Sequence, residues 1–154
     1  MNSALAQSIA DLSNRWRNRF LRLTVWSRPE HLQRGAYGEK LARWHLKRNG
    51  YKILYRNFRG RAGGEIDIVC RDHDTLVFVE VKTRTREDFG RPIAAVDARK
   101  QKRIARGGLT WLRMLDNPDI LFRFDVVEVL LRENAKPQIE IIKNAFQLPA
   151  PYIY

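Results

Sequence analysis

The chain alternates between two hydrophobic periods, and the changes of period divide it into elements. Leu5, Ile9, Leu12, Trp16, Phe20 and Leu23 recur three or four residues apart, which predicts an amphipathic helix ending before Ser27-Arg28-Pro29. A second helix is expected from about Arg34-Gly35 to Asn49-Gly50, an amide and a glycine suited to a helix C-terminus. Tyr37, Leu41 and Trp44, with His45 or Arg48, mark one side of it. Strand-like runs follow at Tyr51 to Arg59, Glu65 to Cys70 and Leu76 to Thr83, punctuated by Gly60, Gly63 and Gly64 and then by Asp72-His73-Asp74. Their short turns imply an antiparallel meander.

A third helix is expected from about Asp97, its N-cap, to Leu115, with Ile104, Trp111, Leu112 and Leu115 as the buried stripe and Gly107-Gly108 as a point of weakness or a kink. Strands near Phe122 to Leu131 and Ile139 to Ile142 and an extended Leu148-Pro149-Ala150-Pro151 complete the order. The pattern α-α-β-β-β-α-β-β reads as α/β: an N-terminal amphipathic basic helix and linker over 1–32, one domain over 33–146, and a tail over 147–154.

Composition narrows the function. The 154 residues are 44% hydrophobic, enough for a single real core. The net charge of +12 is unevenly placed: residues 1–113 carry 25 Lys/Arg against 11 Asp/Glu, a formal +14, and residues 114–154 carry 4 against 6, a formal −2. A basic surface of this kind attracts polyanions, nucleic acid above all, through a long-range field that salt screens. A solvated basic face without a partner is the bland alternative. The N-terminal helix, with Arg15, Arg17, Arg19 and Arg22, could dock on the core, touch nucleic acid or lie on an anionic membrane surface. One cysteine, Cys70, excludes an intrachain disulfide and a thiolate zinc cluster, and His31, His45 and His73 lack metal-ligand spacing. Apolar stretches are too short for a membrane span, so a cytoplasmic protein with no integral membrane association is expected.

The chemistry concentrates in two strands. Glu80 and Lys82 lie two residues apart at the end of Leu76-Val77-Phe78-Val79, so they share a face with Leu76 and Phe78. Glu65 and Asp67 precede them on the neighbouring run. If the runs form a hairpin, three acids and a lysine converge. Asp67 and Glu80 facing each other are the right ligands for Mg²⁺ or Mn²⁺, a hard cation held by one or two carboxylates. Lys82 would then orient water and stabilise charge at a scissile phosphate, Glu39 could reach in from the second helix through a water, and Glu65 could bind metal or pair with an arginine. Arg84, Lys100 and Arg103 are candidate nucleic-acid contacts. Taken alone, Glu80-x-Lys82 would read as a salt bridge on an exposed edge strand.

Gly38-Glu39, Gly64-Glu65-Ile66-Asp67, Phe78-Val79-Glu80-Val81-Lys82-Thr83-Arg84, Phe89-Gly90, Lys100 and Arg123-Phe124-Asp125-Val126-Val127 together resemble the bacterial YraN-like family over roughly residues 33–146. That family is in turn similar to the restriction-endonuclease-like superfamily and to archaeal Holliday-junction resolvases. The resemblance implies a three-layer α/β/α core with a central mixed sheet and metal-dependent cleavage of nucleic acid. It also implies Glu39 as the helix acid, Asp67 and Glu80 as the metal carboxylates and Lys82 as the catalytic lysine. The superfamily's motif has proline before the first aspartate, and Ile66 stands here. The leading expectation is a Mg²⁺-dependent (or Mn²⁺-dependent) endonuclease acting on DNA, branched or otherwise structured; the alternative is a non-catalytic nucleic-acid-binding protein or adaptor on the same core. Junction resolution would require two active sites and hence a homodimer.

Overall fold

Three near-continuous apolar runs, Ile66 to Cys70, Leu76 to Val79 and Phe124 to Val129, are buried on both faces, and both helices follow from that need for cover. The computed structural model describes residues 30–61, 63–85 and 97–150. Within them lie helix α1 (Glu30–Arg48), strands β1 (Lys52–Arg59), β2 (Glu65–Asp72) and β3 (Thr75–Arg84), helix α2 (Ala98–Met114), and strands β4 (Phe122–Leu130) and β5 (Gln138–Phe146). The expected helix over residues 5–23 and the pair Phe89-Gly90 lie outside the described residues.

The five strands form one sheet in sequence order. β1, β2 and β3 make the antiparallel meander, β3 and β4 run parallel with α2 as the crossover, and β5 returns antiparallel to β4. On one face α2 buries Ile104, Leu109, Trp111 and Leu112 against Ile66, Phe78, Phe124 and Val126. On the other, α1 buries Ala42 and Leu46 against Ile68, Cys70, Val77, Val79, Val127 and Val129. The result is a three-layer α/β/α core around a mixed sheet. Each fully buried Val, Ile or Phe stabilises by roughly 1.5–3 kcal/mol, so β3, the middle strand, is among the most firmly held segments.

Two expectations change. Tyr37 and Trp44 do not face the core; they are 48% and 54% exposed, and Arg48 stacks on Trp44. The face toward the sheet is Gly38, Ala42 and Leu46, and the first two are small enough to let the helix come close. At Gly38 even a methyl group would run into the Thr83 side chain of β3. The glycines of α2 are likewise not a kink. The helix is continuous through Gly107 and Gly108, which are buried where a Cβ would press on Glu65 backbone and Ile66, or on Phe78 and Phe124.

Asp97 caps α2 as its residue type predicts, accepting a 2.7 Å hydrogen bond from the Lys100 N–H. This cap fixes the start of the helix and so fixes where Lys100 and Arg103, one and two turns in, meet the sheet. Among the described residues no helix is long and apolar enough to cross a membrane.

Candidate active site

Glu80 follows Leu76 and Phe78 on the α2 side of β3 and is only 5% exposed. A carboxylate there forfeits hydration that no exposed edge-strand salt bridge would lose. Its neighbour across the sheet is Asp67. The β2–β3 ladder runs from Asp72 opposite Thr75 to Ile68 opposite Val79. At the next rung the Val81 N–H donates to Asp67 Oδ2 at 2.8 Å, so the Asp67 side chain is built into the strand pair. Its carboxyl comes within hydrogen-bonding reach of Glu80 when one of the two is protonated.

Electrostatics follow from this crowding. Burial, then the charge of Asp67, pushes the Glu80 carboxyl up to about 8, against the opposing pull of Lys100. Asp67 is raised too, by burial above all, with the Val81 hydrogen bond working the other way. The amine against these acids is Lys100: its Nζ lies 2.8 Å from Glu65 Oε1 and 3.0 Å from Glu80 Oε1. Burial alone would lower the Lys100 pKa, but the bond to Glu65 and the Glu80 charge outweigh it and raise it. Arg103 Nη2 holds the other Glu65 oxygen at 2.8 Å. Glu65 is thereby kept ionised, its carboxyl lowered by Lys100 and Arg103 despite burial that acts to raise it. Glu65 thus pairs with cations from α2, and its two oxygens are engaged.

Glu39 comes from α1. Close packing of Gly38 on Thr83 brings the next residue to the sheet, where Glu39 feels the Asp67 charge. Burial first and Asp67 second raise its carboxyl, while a hydrogen bond from the Asn57 side chain lowers it. Glu39 sits in the middle of Glu30–Arg48, away from the positive end of the helix dipole. Arg43 and Arg56 flank it. Lys82 lies on the same strand as Glu80, half-buried and in register with Glu128 of β4, and takes no part in the Lys100 ion pairs. Arg84 Nε is paired with Glu128 Oε1 at 2.8 Å.

The structure therefore sets Asp67 against Glu80, brings Glu39 within reach of the Asp67 charge, adds Glu65, Lys100 and Arg103 as an ion-paired rim, and leaves Arg84 tied to β4. Asn57 was missed by the sequence reading. The available signal was an asparagine in the middle of Ile53-Leu54-Tyr55-Arg56-Asn57-Phe58, a residue depleted in strands.

A second charged cluster has a structural explanation. Arg123 Nε binds Asp125 at 2.9 Å, and Arg123 Nη2 binds Asp72 Oδ2 at 2.7 Å. Lys143 adds 3.0 Å to Asp72, and the Asn144 N–H gives 2.9 Å to Asp125. With Asp125 wholly buried, every one of these bonds repays desolvation. Asp72 is accordingly held well below the usual carboxylate range, where burial is outweighed by the bonds from Arg123 and Lys143. Cys70 is wholly buried and its thiol is pushed far up, chiefly by that burial, so it is an inert core residue.

The donor set at Asp67 and Glu80 fits a hard divalent cation. Glu80 Oε2 is buried and receives no hydrogen bond from any protein donor, an orphan costing about 1–3 kcal/mol unless a cation or proton meets it. Among the described residues no three His, Cys, Asp or Glu side chains come together as a group that could hold a metal ion. A facing pair suits Mg²⁺, which keeps several waters and takes one or two carboxylates.

A family model described as "Uncharacterised protein family UPF0102" matches residues 38–129, which span α1 from Gly38, β1 to β3, α2 and nearly all of β4. A "UPF0102 protein" of Geobacter metallireducens is 53% identical over 114 residues, 74% of this chain and 92% of that protein. Another from Geotalea uraniireducens is 47% identical over 121 residues, 79% and 94% of the two chains. One from Syntrophus aciditrophicus is 43% identical over 124 residues, 80% and 96%.

Proposed function

We propose that this chain, which belongs to the UPF0102 or YraN-like family, is a divalent-metal-dependent endonuclease that hydrolyses phosphodiester bonds in DNA, with branched or otherwise structured DNA as the favoured substrate. The observation that carries the reading is the buried pair Asp67 and Glu80, two carboxyls held against one another at the end of a hydrophobic floor, with one Glu80 oxygen unpartnered. Crowded acids whose protonation is shifted by burial and by one another are a common feature of functional sites.

Asp67, fixed by the Val81 N–H, and Glu80, fixed by β3, would hold Mg²⁺ or Mn²⁺. When bound, such a cation neutralises charge on the phosphoryl oxygens and makes a neighbouring water more acidic. Glu39 accepts a hydrogen bond from the attacking water and so sets its direction. Lys82, beyond Glu80 on the same strand, donates to the phosphate and stabilises the charge that develops there. Lys100 keeps Glu65 and Glu80 in place, and the exposed cations Arg56, Arg59, Lys102 and Arg103 around the site supply the field for a phosphate backbone.

Purified protein is expected to nick or cut a panel of linear, flapped and four-way DNA only with Mg²⁺ or Mn²⁺, and Asp67→Asn and Glu80→Gln are expected to abolish cutting while DNA binding persists. Cutting that survives both substitutions refutes the assignment.

The second reading, a nucleic-acid binder without catalysis, is favoured by one observation: Lys100 already supplies a cation to Glu80. Under that reading the carboxylate pair takes up no metal even at millimolar concentration.

A further inference from the structure

Asn57 stands in the middle of β1 with a backbone φ of 52°, in the left-handed region. Such a conformation is unfavourable for a residue with a side chain, and asparagine tolerates it best after glycine. Among the described residues, only Asn144 shares this combination of left-handed backbone and strand position without being glycine. At Asn144 the backbone pays its way, since its N–H donates to the buried Asp125. Asn57 is exposed, so packing does not account for it.

Register shows what the left-handed residue does. Arg56 pairs with Ile68 and Phe58 with Ile66, which leaves Asn57 opposite Asp67. Regular alternation is broken at this rung. Tyr55 and Phe58, three apart, both pack on the α2 side, and Ile66 lies on the α2 side while Ile68 lies on the α1 side. The Asn57 side-chain amide makes a hydrogen bond to the Glu39 carboxylate of α1 that favours the charged acid. A residue that would otherwise follow strand alternation is thus re-aimed at the one acid the site draws from a helix.

We infer that Asn57 is a positioning residue: its left-handed backbone and side-chain amide hold the Glu39 carboxylate toward Asp67 and Glu80. This rests on the reading of those acids as a cation site. Outer hydrogen bonds of this type fix the direction of a ligand or water-binding carboxylate, and their loss commonly weakens metal affinity by about 10-fold or more.

The test uses Asn57→Gly, which keeps the left-handed backbone at no steric cost and removes only the amide. The hydrogen bond is tested first without metal. The Asn57 side-chain amide resonances in a ¹⁵N NMR spectrum are expected to move on Glu39→Gln, and resonances that stay in place overturn the inference. Asn57→Gly should melt within a few degrees of wild type, yet bind Mn²⁺ about 10-fold more weakly by calorimetry. The double variant with Glu39→Gln should lose no more than Glu39→Gln alone, because both changes remove the same oriented carboxylate. Wild-type affinity in Asn57→Gly, or losses that multiply in the double variant, overturn it. If the wild type takes up no Mn²⁺, the cation-site reading fails, and the amide resonance still decides whether Asn57 holds Glu39.

Discussion

Lys100 reaches from the first turn of α2 to the sheet and places its Nζ 3.0 Å from Glu80 Oε1, so the only carboxyl buried in the middle strand is met by an amine from another element, not by Lys82 on its own strand. The resident cation is one charge for two facing acids, with Glu65 sharing it at 2.8 Å. A proton or a divalent ion must complete the balance. This imbalance governs how the protein should respond to pH and metal.

Metal affinity should climb with pH. Burial, and then Asp67, raises the Glu80 carboxyl to about 8, so below that pH an incoming ion must displace a proton. Calorimetry with Mn²⁺ in two buffers of different ionisation enthalpy should show proton release on binding at pH 6.5 to 7.5 and little above pH 9. Lys100→Met should shift the rise in affinity to higher pH by removing the charge that opposes the shift. A pH-independent affinity between 6 and 9 would contradict the arrangement.

Stability should fall over the same window. The folded Glu80 binds its proton more tightly than the unfolded chain does, so its contribution is fully present below about pH 4.5 and is lost as pH rises toward 8. Glu80→Gln should therefore flatten this part of the pH–stability curve and raise the melting temperature at pH 8.5, measured by thermal unfolding without metal. A variant that melts lower than wild type at pH 8.5 would mean that Glu80 is stabilising in its charged form.

Gly38→Ala should cost about 1–3 kcal/mol in denaturant unfolding, since the added methyl meets the Thr83 side chain and α1 must move off the sheet. Thr83→Ala in the same chain should recover part of that loss. Because the displacement carries Glu39 with it, cutting should weaken more than the loss of folded protein explains.

The cluster at the other end of β4 should matter to folding and not to metal binding. Arg123→Met leaves Asp125 and Asp72 without their bidentate and single bonds, a loss of about 3–5 kcal/mol for breaking a buried pair. Where that variant is folded, its Mn²⁺ isotherm should match wild type. Asp72 acts with the opposite pH sign to Glu80. Its folded carboxyl is depressed, so the stability it contributes is present near neutrality and lost as pH falls below the ordinary carboxylate range.

Much of this was legible in the sequence because β2 and β3 are short apolar runs with unmistakable turns, and a strand's two-residue period states which side chains share a face. That period put Glu80 with Leu76 and Phe78 and allowed Asp67 to be read as its partner. The same local logic does not reach a contact that is tertiary. Lys82 is two residues from Glu80 and Lys100 is twenty away, yet only Lys100 touches it, because the Asp97 cap and the glycines of α2 set that helix against the sheet. Hydrophobicity likewise misjudged α1. Tyr37 and Trp44 are its large aromatic residues, but the close approach that brings Glu39 to the sheet requires Gly38 and Ala42 on the inner face.

The central claim is that Asp67 and Glu80 bind one divalent ion between them, and titration calorimetry of Mn²⁺ into wild type and Asp67→Asn at pH 8.5 tests it most directly. Asn at position 67 can still accept the Val81 hydrogen bond, so the fold is retained while the charge is removed. A single saturable site in wild type that disappears in Asp67→Asn is the predicted result. No heat at millimolar Mn²⁺ in wild type, or an unchanged isotherm in Asp67→Asn, would contradict it.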